Sequence, residues 1–380
     1  MDRREFLKAA VAGTALAGCA SLPGGPRRAQ VIFFTSQGKT CLIREDGTGF
    51  QELNCSAPDQ VTWQPCGFYP DGQVLMLSME ARRDGPGKPF EIYYRQTPTH
   101  IWRYDVAKDR LVELVTKERK AVFCTPALLL KDGRLLVQVV TETGGQILNV
   151  AEDGTDAKEF TKIGEGLPYG LSLSPDGTRV AFHLASPEGY QIHTSDPDGQ
   201  NRVKIVGHPD HLYFAPLWSP DGKWLLYQDC DYKNDPGHDW ADICVGRPDG
   251  SEHRVLTQGH PAWFAATYGS PATKGGGSNV PTWSHDGKIL FARALPGSKV
   301  PWEYQANRPD TDHFNRDYKP ENAQGGAEVY EMDPETGNGH ALTQPGAQVW
   351  DFRVSESPNG KTIVFCRAAT REGPAIWTMK

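Results

Sequence analysis

Five of the eleven histidines, His208, His211, His238, His260 and His313, fall between positions 208 and 313, and they do not fall alone. The same stretch holds Asp229, Asp231, Asp239, Asp310 and Asp312, the aromatics Trp240, Trp263, Tyr268 and Trp302, and Asn279 and Arg308, with Arg316 just beyond it. Neutral imidazoles converging from several loops suit a borderline divalent metal, and carboxylates suit a harder one. Indole and phenol faces can pack against the C–H face of a pyranose while side-chain polar groups read its hydroxyls. A guanidinium grips a carboxylate through two parallel hydrogen bonds, so Arg308 and Arg316 would suit a uronic acid. Asp229, Asp231, Trp240, Trp263, Tyr268 and Asn279 are therefore the expected sugar-binding set. The run Gly275-Gly276-Gly277-Ser278 lacks the strand-then-helix setting of a phosphate cradle and the Lys-Ser/Thr that follows one, which argues against a nucleotide.

The elements that must position these residues repeat along the chain. The stretch Phe214 to Tyr227 is an apolar run, a Ser219-Pro220-Asp221-Gly222 turn and a second apolar run. Pro presets φ for such a turn and Gly takes its positive-φ position, so the two runs fold back as a hairpin. Related turns occur at Tyr69-Pro70-Asp71-Gly72, Lys131-Asp132-Gly133, Ser174-Pro175-Asp176-Gly177, Ser284-His285-Asp286-Gly287 and Ser357-Pro358-Asn359-Gly360. Recurrence at about 45 residues is the signature of an all-β propeller of four-stranded antiparallel blades. Seven blades are expected, with six as the alternative. The C-terminal segment from Val349 reads as the first three strands of a blade and Gln30 to Asn54 as the last three. A blade shared between the two ends would close the ring and remove its open edges.

Loop lengths divide the propeller into two unlike faces. Turns between the first and second strands, and between the third and fourth, are nearly all short and lie on one face. Long insertions belong to the other connections: Glu80 to His100, Gly207 to Leu212, Gln228 to Asp239, Gln258 to Asn279 and Ala292 to Ala327. Long loops in a compact domain are usually functional, so a site is expected on the face that carries them. Outside the insertions, His183, His193, His253 and His340 lie in strands and His285 in a turn, and all five read as structural. No Gly-x-Ser-x-Gly elbow occurs and no stretch is left over for a hydrolase domain, which excludes serine-hydrolase chemistry.

The Pro-Asp-Gly repeats resemble those of the TolB-type propeller family over nearly the whole chain from Gln30. With the polar and aromatic insertions added, the chain also resembles, more distantly, the oligogalacturonate lyases. That resemblance implies a His-bound divalent metal, manganese or calcium, and a His base that removes the proton α to a uronate carboxylate. It also implies an Arg that stabilises the enolate-like charge, a role that Arg308 or Arg316 would fill. It would place a metal-binding His just before a Trp-x-Pro-Asp-Gly turn, but the matching positions here are Ala215 and Val280. The metal would then rest on His211, His260 and His313, with His238, between Gly237 and Asp239, as the base. On this basis the expected ligand is an acidic oligosaccharide or polysaccharide. The competing expectation is a non-catalytic TolB-like module that binds a glycan or an envelope protein.

The N-terminus reads as an address. Arg3-Arg4-Glu5-Phe6-Leu7-Lys8 resembles a twin-arginine export signal, and Leu16-Ala17-Gly18-Cys19 resembles a lipobox in which Cys19 takes the lipid. Residues 1–18 would be the signal, 19–29 a lipidated linker, and 30–380 one propeller domain. The protein is expected to be monomeric, periplasmic or at the cell surface, and held to the membrane only by its lipid. Net charge is −7 and no basic tract occurs, which makes nucleic acid an unfavourable partner. Seven cysteines remain besides Cys19, none in a C-x-x-C pair, and Cys230 and Cys244 flank one loop where a disulfide could form.

Overall fold

The computed structural model describes residues 18–21, 30–36, 39–80, 99–117, 122–123, 127–141, 144–186, 188–231, 240–264, 279–300, 302–304, 316–357, 359–369 and 375–380. Among them the fold is all β, with one 3₁₀ turn at Pro320–Asn322 and no α-helix. The chain runs as successive antiparallel meanders. One consists of Leu167–Leu173, Val180–Ser186, Gly189–Ser195 and Val203–His208, paired in that order. The next consists of His211–Trp218, Leu225–Asp231, Trp240–Gly246 and His253–Val255.

The hairpin turns form as their residues dictate. Gly177 and Gly222 have φ of +75° and +71°, the left-handed region that a Gly enters without strain. In both turns the Ser hydroxyl donates to the turn Asp, Ser174 to Asp176 at 2.6 Å and Ser219 to Asp221 at 2.7 Å.

Successive sheets pack face to face, which explains why the second strands are apolar on both sides. Leu225 and Tyr227 join Ala181, Ile192 and Ile205 of the preceding sheet. Trp224 and Leu226, pointing the other way, join Trp283, Ile289 and Phe291 of the following sheet. A strand whose side chains alternate between two buried faces is hydrophobic at successive positions, as from Trp224 to Tyr227. Polar groups tie the sheets as well. The indoles of Trp218 and Trp283, each just before a turn, donate to the carbonyls of Ser172 and Leu217 one sheet earlier.

The two ends meet differently from the shared blade expected above. Gln30–Ser36 pairs with Gly18–Ser21 and Lys39–Arg44, and Ala375–Met379 pairs only with Ile363–Ala369 among the described strands. First and last sheets are joined by packing: Ile32, Phe34, Cys41 and Ile43 bury against Trp350, Phe352, Val364 and Cys366. A second tie is the bond from Thr362 Oγ1 to Glu45 at 2.7 Å.

Cys230 and Cys244 are separate free thiols, against the disulfide considered above. Cys244 pairs in register with Tyr227, three residues before Cys230, so the two sulfurs leave the sheet on opposite faces. They belong to different core clusters, Cys244 with Ala181 and Cys230 with Phe264.

Candidate active site

The insertion-bearing edge of the meander from His211 to Val255 gathers two histidines and two aspartates. Asp229 lies near the end of its strand, and Asp242 is its register partner on the next. His211 opens the inner strand, and its Nδ1 lies 2.8 Å from both carboxylate oxygens of Asp229. His260 follows the outer strand, with Nε2 3.3 Å from Asp242 Oδ2. Its backbone N–H reaches the other oxygen of Asp242 at 3.1 Å, and the Thr257 hydroxyl donates to that oxygen at 2.7 Å. His260 has φ of +54°, so the carboxylate holds it in a backbone conformation that a non-Gly residue seldom adopts.

Two carboxylates thus stand opposite each other, each capped by an imidazole. Asp229 is 7 % exposed. Burial pushes its pKa up and Asp242 adds to this, while His211 and His260 pull it down; the net direction is upward. With Nδ1 given to Asp229, the Nε2 of His211 is the ring atom left to take a proton, the tautomer that a carboxylate imposes on a general base. The His211 ring stacks on Tyr213 at 5.6 Å, which further fixes its plane.

The sequence-derived set divides in three. Asp229, His211 and His260 come together in this cluster, and Trp240 is half-buried at its border, paired in register with Trp263. Trp263 is wholly buried and packs on Trp350 at 4.8 Å and Phe352 at 5.4 Å, so its ring has no face to offer a sugar. Asn279 is 3 % exposed: its Nδ2 donates to Trp263 O and its Oδ1 accepts from Arg353 N, both at 2.7 Å. Trp263 and Asn279 are therefore corrected to scaffold residues that close the base of the 265–278 insertion. His238, Tyr268, Arg308 and His313 lie outside the described residues, as do the side chains of Cys19, Asp231 and Arg316. In backbone, Asp231 pairs with His211, Cys19 with Ile32, and Arg316 with Tyr304 at the base of the longest insertion.

Asp242 was not singled out in the sequence, although its spacing from Asp229 across a hairpin of two strands was the available signal. Of the other histidines, His183 and His193 are buried, and burial lowers their pKa to about 3 and about 4. His100 is held between Glu113 at 2.6 Å and Glu80 at 2.8 Å.

A divalent metal fits these residues poorly. No group of three or more His, Cys, Asp or Glu side chains among the described residues is arranged to hold one. His211 and His260 each spend a ring nitrogen on an Asp. The positions where the resemblance would put a histidine are Ala215, at a bulge with φ of +53°, and half-buried Val280.

No protein-family model and no curated protein matches the sequence. Solved structures do match in fold. An oligogalacturonate lyase in complex with manganese superposes with a TM-score of 0.55, at 14 % identity over 97 % of each chain. A puromycin hydrolase gives 0.57 at 15 % identity, covering 98 % of this chain and 54 % of the hydrolase. A TolB protein from Agrobacterium tumefaciens gives 0.45 at 18 % identity, over 87 % of this chain and 94 % of its own. The oligogalacturonate lyases, which the sequence resembles, recur among these structures, and this chain is an all-β propeller similar in fold to the lyase and to the hydrolase.

Proposed function

We propose that this protein is a seven-bladed, exported β-propeller that binds an acidic oligosaccharide on its insertion-bearing face and cleaves it by β-elimination. The observation that carries the reading is the His211–Asp229 pair: a carboxylate-oriented imidazole at the edge from which the insertions leave. The fold shared with an oligogalacturonate lyase supports the substrate class. In this reading His211 Nε2 accepts the proton α to a uronate carboxylate, and Asp229 steadies the imidazolium that results. His260, steered by Asp242, stands ready to protonate the leaving oxygen. His238, Arg308, Arg316 and Tyr268 would reach the substrate from the insertions. Export by the twin-arginine route and lipidation at Cys19 complete the proposal, which rests for these points on the N-terminal motif.

The test is ultraviolet absorbance while the protein is incubated with a panel of uronate-containing oligosaccharides, with and without a chelator. A rise in the unsaturated-uronide band is expected, and it should be lost in Asp229→Asn. Its loss on chelation would give the manganese or calcium requirement that the lyase resemblance implies. A flat trace in every well would favour the second reading, a non-catalytic module for a glycan or envelope protein. The burial of Trp263 and Asn279, two of the expected sugar contacts, speaks for that second reading.

A further inference from the structure

The inner strands of three sheets bulge at the same place. Register is lost between Tyr169 and Ser172, between Phe214 and Leu217, and between Phe352 and Ser355. The residues set into the bulges are Gly170, Ala215 and Arg353, with φ of +65°, +53° and +52°. The bulges of neighbouring sheets crowd together, since a Cβ on Gly170 would lie 3.7 Å from Ala215 Cα. Gly suits such a backbone. A long charged side chain is held there against its own preference, and strain of this kind gathers at functional positions.

Arg353 is held with some care. Its N–H is fixed by Asn279 Oδ1 at 2.7 Å, and Asn279 is itself buried and anchored on Trp263 O. The guanidinium carbon lies 5.8 Å from the centre of the Phe352 ring. The residue keeps partial access to water yet is surrounded by protein, and burial lowers its pKa. A cation in such surroundings interacts more strongly with an anion than it would on the open surface. The equivalent bulge of the central sheet is Ala215, where the lyase resemblance would place a metal-binding histidine.

We propose that Arg353 is the carboxylate anchor of this protein: a guanidinium carried on an inner-strand bulge that holds a uronate carboxylate without a metal. The inference rests on the acidic-oligosaccharide reading above and adds the residue that selects the acid. A guanidinium meets a carboxylate through two parallel hydrogen bonds, whereas the neutral methyl ester offers it no charge.

The experiment is calorimetric titration of the protein, in chelator, with a galacturonic acid trimer and with its fully methyl-esterified form. Wild type should prefer the acid. Arg353→Gly, which suits the bulge backbone, should lose at least tenfold in affinity for the acid and leave the ester unchanged, with Arg353→Lys between them. If wild type takes the acid and Arg353→Gly takes it equally well, the anchor is overturned and the carbohydrate reading stands. If the acid binds only when a divalent metal is supplied, the metal-free anchor is overturned. If wild type binds neither sugar, the carbohydrate reading falls and takes the anchor with it. A lower melting temperature in Arg353→Gly with unchanged affinity would assign the side chain to the fold.

Discussion

Replacing Asp229 by Asn should separate stability from chemistry at this site. The substitution keeps shape and removes one charge. Asp229 is 7 % exposed and faces Asp242, and burial raises its pKa despite the opposing pull of His211. A carboxyl whose folded pKa lies above the unfolded value of about 3.9 stabilises the fold below that value, and the contribution is lost as pH rises through the folded pKa. At pH 7 the ionised Asp229 is therefore a cost that Asn does not carry. Against this stands the charge-assisted bond to His211, about 1.5–3 kcal/mol, which Asn replaces with a neutral bond of about 1 kcal/mol. The two effects offset to within about 1 kcal/mol, or roughly 2–4 °C in melting temperature. The variant should also gain on wild type as pH rises from 4 to 7. Turnover of an active uronide should meanwhile fall by about 10²–10⁴, the usual contribution of general acid–base catalysis. Circular dichroism melts across that pH range and initial rates at pH 7 give both numbers. A loss of more than about 3 kcal/mol at pH 7, or turnover equal to wild type, would refute the reasoning.

Three further outcomes follow from the packing. Trp263→Ala should cost about 3–5 kcal/mol in chemical denaturation, as expected for a wholly buried indole, and Trp263→Phe should bind the same uronides as wild type. A Phe variant that lost sugar binding while keeping its stability would return Trp263 to the binding set. His183 is held neutral, its pKa lowered to about 3, so its contribution to stability is intact above the unfolded value of about 6.5 and is lost as pH falls from there towards 3. His183→Gln, which copies Gln138 and Gln228 at matching positions of the flanking sheets, should flatten that acid limb by up to about 1.4 kcal/mol per pH unit. An unchanged pH profile would show that His183 does not set it. Cys230 and Cys244 should resist a maleimide in the native protein and react once it is denatured, with no shift in melting temperature on adding reductant. A reductant-dependent fall in melting temperature would indicate a bridge.

Much of this fold was legible in the sequence because its determinants are local. A Ser-Pro-Asp-Gly turn needs only its own four residues to set φ and reverse the chain, and the hydroxyl-to-Asp bonds at Ser174 and Ser219 are contacts across two residues. Strand period and turn spacing then give the meander. The edge that gathers His211, Asp229 and His260 followed from loop length, since insertions must leave where the backbone is not paired to a neighbour.

What tertiary structure alone decided was which polar and aromatic side chains face outward. Trp263 and Trp240 look alike in sequence, yet one lies fully inside the joint between the first and last sheets and the other at its edge. Asn279 reads as a loop residue but acts as a staple, because the carbonyl it must satisfy belongs to a residue sixteen positions away. The pairing of Asp229 with Asp242, the facing of Cys230 away from Cys244 and the left-handed bulge at Arg353 are set by register between strands. Register is fixed by the summed packing of two sheets, and no single stretch of the chain encodes it.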